Sequence, residues 1–223
     1  MTLQEFSNEF DILYNNIMSN QAPGLDEYEK SVFLTKAQED TVVDIYTRSS
    51  FENTEEIRRY LSNLNKSVKL SSIDNISDKI RLSELSTFYE LPKDVLFITY
   101  EAVEFDDADT CMNKKNILVY PTTRDEYHRM KDNPFRGANH RRVLRLDYEG
   151  NIVELITKYV IKEYTVKYIA SPSPIILANL PEGISINGES KQTSCTLNPA
   201  LHRAILDRAV QLAYSSFINA GKN

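Results

Sequence analysis

The chain has 223 residues, enough for one large domain or two small ones, with 41% apolar and 26% charged residues, the balance of an ordinary globular protein able to bury a core. Its net charge of −6 argues against non-specific DNA binding as the main role, because that binding draws on net positive charge. No uncharged apolar run approaches the ~20 residues that span a bilayer, and the opening "MTLQEFSNEF" carries acids without a basic n-region, so neither a membrane span nor a signal peptide is expected.

The first predicted element is a helix. Leu3, Phe6, Phe10, Leu13 and Ile17 recur at alternating spacings of three and four, which places them on one face, and Thr2 and Glu5 have the spacing of a capping box. "NQAPG" (20–24) breaks it. Asp26 with Glu29 starts a second helix, to about Tyr46, with a stripe of Val32 or Phe33, Ala37, Thr41 and Ile45. A third, shorter helix is expected after a Thr54 cap, carrying Ile57, Tyr60, Leu61 and Leu64.

Residues 65–80 are rich in Ser, Asn and Asp and read as loop. From "FYELPKDVLFITYEAVEF" (88–105) onward, β-branched and aromatic residues dominate. Strands are expected near 95–104, 116–120, 141–147, 152–157, 160–169 and 174–179. "DYEGN" (147–151) is a turn, and Asn187-Gly188 in "SINGES" is the preferred pair for a tight I′ hairpin. A short helix is expected from about Arg124 to Lys131, ended by Pro134. The chain closes on a helix with Asn198 as N-cap and Pro199 in its first turn; Leu201, Ile205, Ala209 and Leu212 form its stripe, and Ala204, Ala209 and Ala213 permit close approach of another helix. The order predicts an α+β fold: a helical domain from 1–65 and 197–223, and an antiparallel β-rich middle domain at 66–196 with its short helix near 124–131.

Motifs for chemistry are scarce. "GISINGES" (183–190) approaches a phosphate-binding P-loop, but the essential Lys is replaced by Glu189, no helix pattern follows, and a hairpin tip accounts for it. Asp106, Asp107 and Asp109 in "DDADTC" lack the Gly and distal Glu of a calcium loop and read as a solvated loop tip, the enzymatic alternative being a metal-dependent nuclease or hydrolase. His128, His140 and His202 show no zinc spacing. Cys111 and Cys195 lie far apart with no CxxC, which fits a reduced compartment and leaves one disulfide open. No cofactor, metal or catalytic residue is assigned, and the chain is not expected to be an enzyme.

The local anomaly is basic. Arg124, Arg129, Lys131, Arg136, Arg141, Arg142 and Arg145 stand against three acids, a net +4 inside a chain of −6. The plain reading is a solvated loop plus an exposed strand face. The sharper one is a contact surface for carboxylates or phosphates, with which guanidinium forks pair. Along "HRRVLRLD", Arg141, Val143 and Arg145 share one strand face, and Arg142, Leu144 and Leu146 the other.

Residues 1–40, "FYELPKDVLFITYE" (88–101), "PTTRDEYHRMKDNPFRGANHRRVLRLD" (121–147) and "LNPALHRAILDRAVQLA" (197–213) resemble structural proteins of crAss-like tailed phages, in an order similar to head-to-tail adaptors of short-tailed phages. The resemblance covers most of the chain and is weakest at 65–85. It implies a virion protein assembled in the host cytoplasm as a ring, commonly of twelve copies. That ring would sit on the portal protein, extend the DNA channel, and present a platform to further tail ring proteins. The arginines would then meet acidic residues of a neighbouring copy, with some facing channel DNA. The alternative is a nucleic-acid-binding phage protein using 124–145, with Tyr127, Phe135 and Tyr148 as stacking candidates. The stripe of Leu201, Ile205, Ala209 and Leu212 suits either docking on the portal or packing on the N-terminal helices.

Overall fold

A computed structural model describes residues 1–18, 23–48, 55, 59–73, 81–83, 86–106 and 115–220. The body of the expected third helix and most of "DDADTC", Cys111 included, lie outside the described residues. The fold is α+β, and the chain divides into two units: residues 1–64 with 171–223, and residues 65–170. The segment 171–196, grouped with the strands in the sequence reading, clusters with the helices.

The helical unit is built on α1 (Leu3–Met18), α2 (Glu27–Arg48) and, after α3 (Arg124–Met130) of the other unit, α4 (His202–Ala220). Two reciprocal capping boxes start the first two helices. Glu5 N donates to Thr2 Oγ1 at 3.2 Å while Thr2 N donates to Glu5 Oε2 at 2.7 Å, and Asp26 and Glu29 make the same exchange at 2.7 and 3.0 Å. The buried ridge of α1 is Phe6, Phe10, Tyr14 and Met18. It advances by four residues each time, the row that packs into a neighbouring helix's groove. The expected alternation therefore fails at its end: Leu13 is half-buried and Ile17 is 46% exposed, because the larger Tyr14 and Met18 take the inner face.

α2 buries polar residues, among them Ser31, Thr35, Gln38 and Thr41. Three of them dress an extended segment. Ser31 Oγ accepts from Leu177 N at 3.0 Å, Thr35 Oγ1 accepts from Ile175 N at 3.0 Å, and Gln38 Nε2 donates to Ser173 O at 2.7 Å. The strand expected at 174–179 is accordingly no ladder. One bridge, Ile176 to Thr193, supplies its strand pairing, and helix side chains satisfy much of the rest of its backbone while Ile175, Ile176 and Leu177 enter the core. At Asn187-Gly188 both residues have positive φ, 51° and 85°, and Ile186 and Glu189 exchange backbone hydrogen bonds, the expected hairpin tip.

Asn198 caps the last helical segment by accepting from Ala200 N at 3.0 Å. A single 3₁₀ turn, Pro199–Leu201, then leads into α4. α4 packs against α1 and α2. Leu201, Ile205 and Ala209 of its stripe are buried there, with Leu212 half-buried. His202 is also buried, its ring 5.3 Å from that of Phe6 and its Nε2 3.3 Å from Leu197 O. Burial holds the His202 pKa below its ordinary value. A depressed folded pKa means that the stabilisation is complete above the unfolded value of ~6.5 and is lost as pH falls through the folded value. Denaturant unfolding followed from about pH 7.5 to about pH 5 should show stability falling, and His202→Gln should remove part of that slope; an identical slope in the variant would exclude His202 as its source.

The second unit is a sheet of eight described strands: β1 (Asn65–Leu70), β2 (Ser72–Ile73), β3 (Ser86–Glu90), β4 (Val95–Phe105), β5 (Ile117–Pro121), β6 (Arg142–Asp147), β7 (Ile152–Ile156) and β8 (Ile161–Ala170). Their order is β1-β8-β4-β5-β6-β7-β3-β2. β1 and β2 lie in the stretch expected to be loop. β1 is an edge strand whose only apolar residues, Val68 and Leu70, are half-buried, so its pattern is faint. All pairs are antiparallel except β5 with β6, which run parallel with Tyr120 opposite Leu144. A parallel pair cannot be closed by a tight turn and needs a crossover. Here the crossover is residues 122–141, with α3 (Arg124–Met130) at its start.

Candidate functional site

Topology turns the basic stretch into an excursion from the sheet. It leaves at the end of β5, runs through α3 and a loop, and re-enters as β6. α3 opens on a third capping box: Thr123 Oγ1 accepts from Glu126 N at 3.3 Å and Glu126 Oε2 accepts from Thr123 N at 3.2 Å. Tyr127 on α3 covers Leu144, Leu146 and Ile156 on that face of the sheet.

The loop that follows is held by its own hydrogen bonds. Asn133 Oδ1 accepts from Phe135 N at 2.9 Å and Arg136 N at 3.1 Å, and Gly137 N donates to Asn133 O at 2.8 Å. Asn139 Oδ1 accepts from Arg141 N at 2.9 Å, while Asn139 and Arg142 exchange backbone bonds at 2.9 and 3.2 Å. The turn closes so tightly that a Cβ on Gly137 would stand 2.8 Å from Asn133 O and 3.0 Å from both Lys131 O and Met130 O. All three are backbone atoms, so Gly137→Ala is expected to lower the stability of this unit by about 1–3 kcal/mol in chemical denaturation, and an unchanged midpoint would refute the close packing. At the apex Phe135 is 87% exposed.

The seven cations separate by environment. Arg124, Arg129, Lys131, Arg136 and Arg141 are exposed. Arg124 lies over the Tyr148 ring, 4.9 Å from its centroid, and Arg142, half-buried, lies over the Tyr120 ring at 4.2 Å. Arg145 is only 8% exposed. The alternation along β6 is as expected, but both faces are buried: Leu144 and Leu146 lie under Tyr127, and on the face shared with Arg145, Val143 joins Val103, Val119, Leu155, Tyr164 and Val166. There Arg145 Nη1 donates to Glu101 Oε2, Tyr164 Oη donates to Glu101 Oε1, and Arg145 Nε lies 2.9 Å from Asp147 Oδ1. Burial alone would weaken the guanidinium's hold on its proton. The hydrogen bond and charge of Glu101, with Asp147, outweigh it and raise the pKa. Burial and the same carboxylate push the Tyr164 phenol far above its ordinary value. This triad sits inside one unit and serves its cohesion.

The stacking candidates separate too. Tyr127 is 7% exposed. Tyr148 has one face under Arg124 and its hydroxyl donates to Glu154 Oε2 at 2.6 Å; burial and that bond push its phenol up to about 12. Of the three, only Phe135 offers a free ring. Among the described residues no cluster of three or more His, Cys, Asp or Glu is placed to hold a metal, and no helix is long and apolar enough to cross a membrane. Cys195 is a free thiol donating to Gln38 Oε1 at 3.1 Å, and burial pushes its pKa up.

The crossover is preorganised and carries five exposed cations on an α+β scaffold, and likeness to known proteins defines the class: a structural ring protein of a phage virion. The family model of phage tail ring protein 3/4 matches residues 1–223, and the chain belongs to that family. It is 48% identical over 223 residues to "Ring protein 3" of Bacteroides phage crAss001, covering 97% of this chain and 96% of the relative. It is also 36% identical over 230 residues to "Ring protein 4/5" of the same phage, covering 97% and 94%.

Proposed function

We propose that copies of this chain close into a ring, commonly of twelve, in the neck joining head to tail. The ring attaches below the portal, extends the DNA channel and offers a platform to the next tail ring. Neighbouring copies meet through the basic crossover. The observation that carries this reading is the set of five exposed cations on a preorganised loop and helix, on a chain whose remaining residues are strongly acidic. A ring closes through heterologous contacts, in which one patch meets a different patch on the next copy, and opposite charge on the two patches gives such a contact its register. The work of such a subunit is assembly rather than catalysis. The nucleic-acid alternative is weakened by Tyr127 and Tyr148, whose rings are already engaged.

Electron microscopy of the protein mixed with the portal and the other tail ring proteins of the same genome tests the reading. A ring stacked under the portal is expected. Binding to tail rings alone would move the chain down the tail, and a monomer that joins neither would overturn the proposal.

A further inference from the structure

We propose that Phe135 at the tip of the basic crossover inserts into the groove between α2 and α4 of the neighbouring copy. This deepens, and rests on, the ring reading above. A phenylalanine exposed to 87% is an anomaly that solubility does not explain, because burying such a ring removes ~150–250 Å² from water. The loop around it is fixed by Asn133, Gly137 and Asn139, so little conformational entropy is lost when the ring is captured.

The groove has the complementary chemistry. It encloses about 620 Å³, with Ile45, Leu201 and Leu212 among its apolar lining and Asp40, Asp44 and Asp207 among its polar lining. Arg208 pairs with Asp44 at 2.5 Å and lies 3.6 Å from Asp40. Three carboxylates against one guanidinium leave the groove negative. Lys131 and Arg136, both exposed, precede and follow Phe135 in the sequence with Asp132 the one acid between them, so an apolar tip with a net positive surround meets an apolar slot with an anionic rim. A second groove among the described residues, between α4 and α1, is smaller at about 280 Å³ and less acidic, with Glu9 and Asp207 against Arg203. The two partners of the proposed contact are different patches, as a ring requires.

Phe135→Cys and Ala204→Cys together, in a chain with Cys111→Ser and Cys195→Ser, test the contact. Mild oxidation of the assembled protein should give a ladder of covalent multimers in denaturing electrophoresis, absent from each single-cysteine chain. Rings visible by electron microscopy without a ladder would overturn this contact and leave the ring reading standing. A disulfide closed within single chains would also overturn it. Monomers of the parent chain, which keeps Phe135, with the other tail proteins present would overturn both. A second variant needs no cross-link. Phe135→Ala should keep its circular dichroism and melting temperature yet require about tenfold or more higher concentration to assemble, and unchanged assembly would refute the insertion.

Discussion

Arg145→Ala is expected to destabilise the sheet unit by about 3–5 kcal/mol, the loss typical of stranding one member of a buried ion pair. Arg145 and Glu101 are both nearly excluded from solvent, and Glu101 also receives the Tyr164 hydroxyl. Removing the guanidinium leaves a buried carboxylate with one donor fewer and no counter-charge. Glu101→Ala should cost somewhat less, because Arg145 keeps Asp147 as a counter-charge while the Tyr164 hydroxyl loses its acceptor. Arg145→Met with Glu101→Leu should recover part of the loss, because well-packed apolar groups replace a buried pair at little net cost, the remainder being the buried Tyr164 hydroxyl left without its acceptor. Denaturant midpoints for the singles and the double check this; single variants within about 0.5 kcal/mol of the parent would show the pair to be dispensable. The result separates Arg145 from the rest of the basic stretch, since exposed Arg141→Ala should fall within that margin.

Lys131→Glu, Arg136→Glu and Arg141→Glu combined are expected to abolish ring assembly while leaving the monomer folded. The three side chains are exposed, so their replacement removes little from the unit's own packing, whereas like charges brought together across an interface cost several kcal/mol. The parent assembly should also weaken as salt rises, since exposed pairs are screened beyond about 8 Å at physiological ionic strength. Mass photometry and electron microscopy read the assembly, and circular dichroism reads the fold. Normal rings from the folded triple variant would remove these cations from the interface. A complex with DNA in a low-salt gel shift, lost in the same variant, would instead support the nucleic-acid alternative.

What depends on neighbours along the chain could be read from the residues alone. The capping pairs Thr2–Glu5 and Asp26–Glu29, the Asn187-Gly188 hairpin tip, the Asn198 cap and the turn before Asn151 all form within a few residues, and each was legible from its own residues. The strongly β-branched strands were legible too, with the α+β order that follows from them. Tertiary structure decided the rest, because it depended on partners far along the chain. No local pattern tells β5 to run parallel to β6, yet that pairing lifts residues 122–141 out as a crossover and exposes Phe135. Likewise, Ile175 and Leu177 look like strand residues, but their backbone is paired by Thr35 and Ser31 on a helix some 140 residues earlier. Arg145 looked like its basic neighbours until Glu101, 44 residues away, and Tyr164 placed it in the core. An arginine's role follows from whether water or a carboxylate faces it, and that is settled only when distant strands meet.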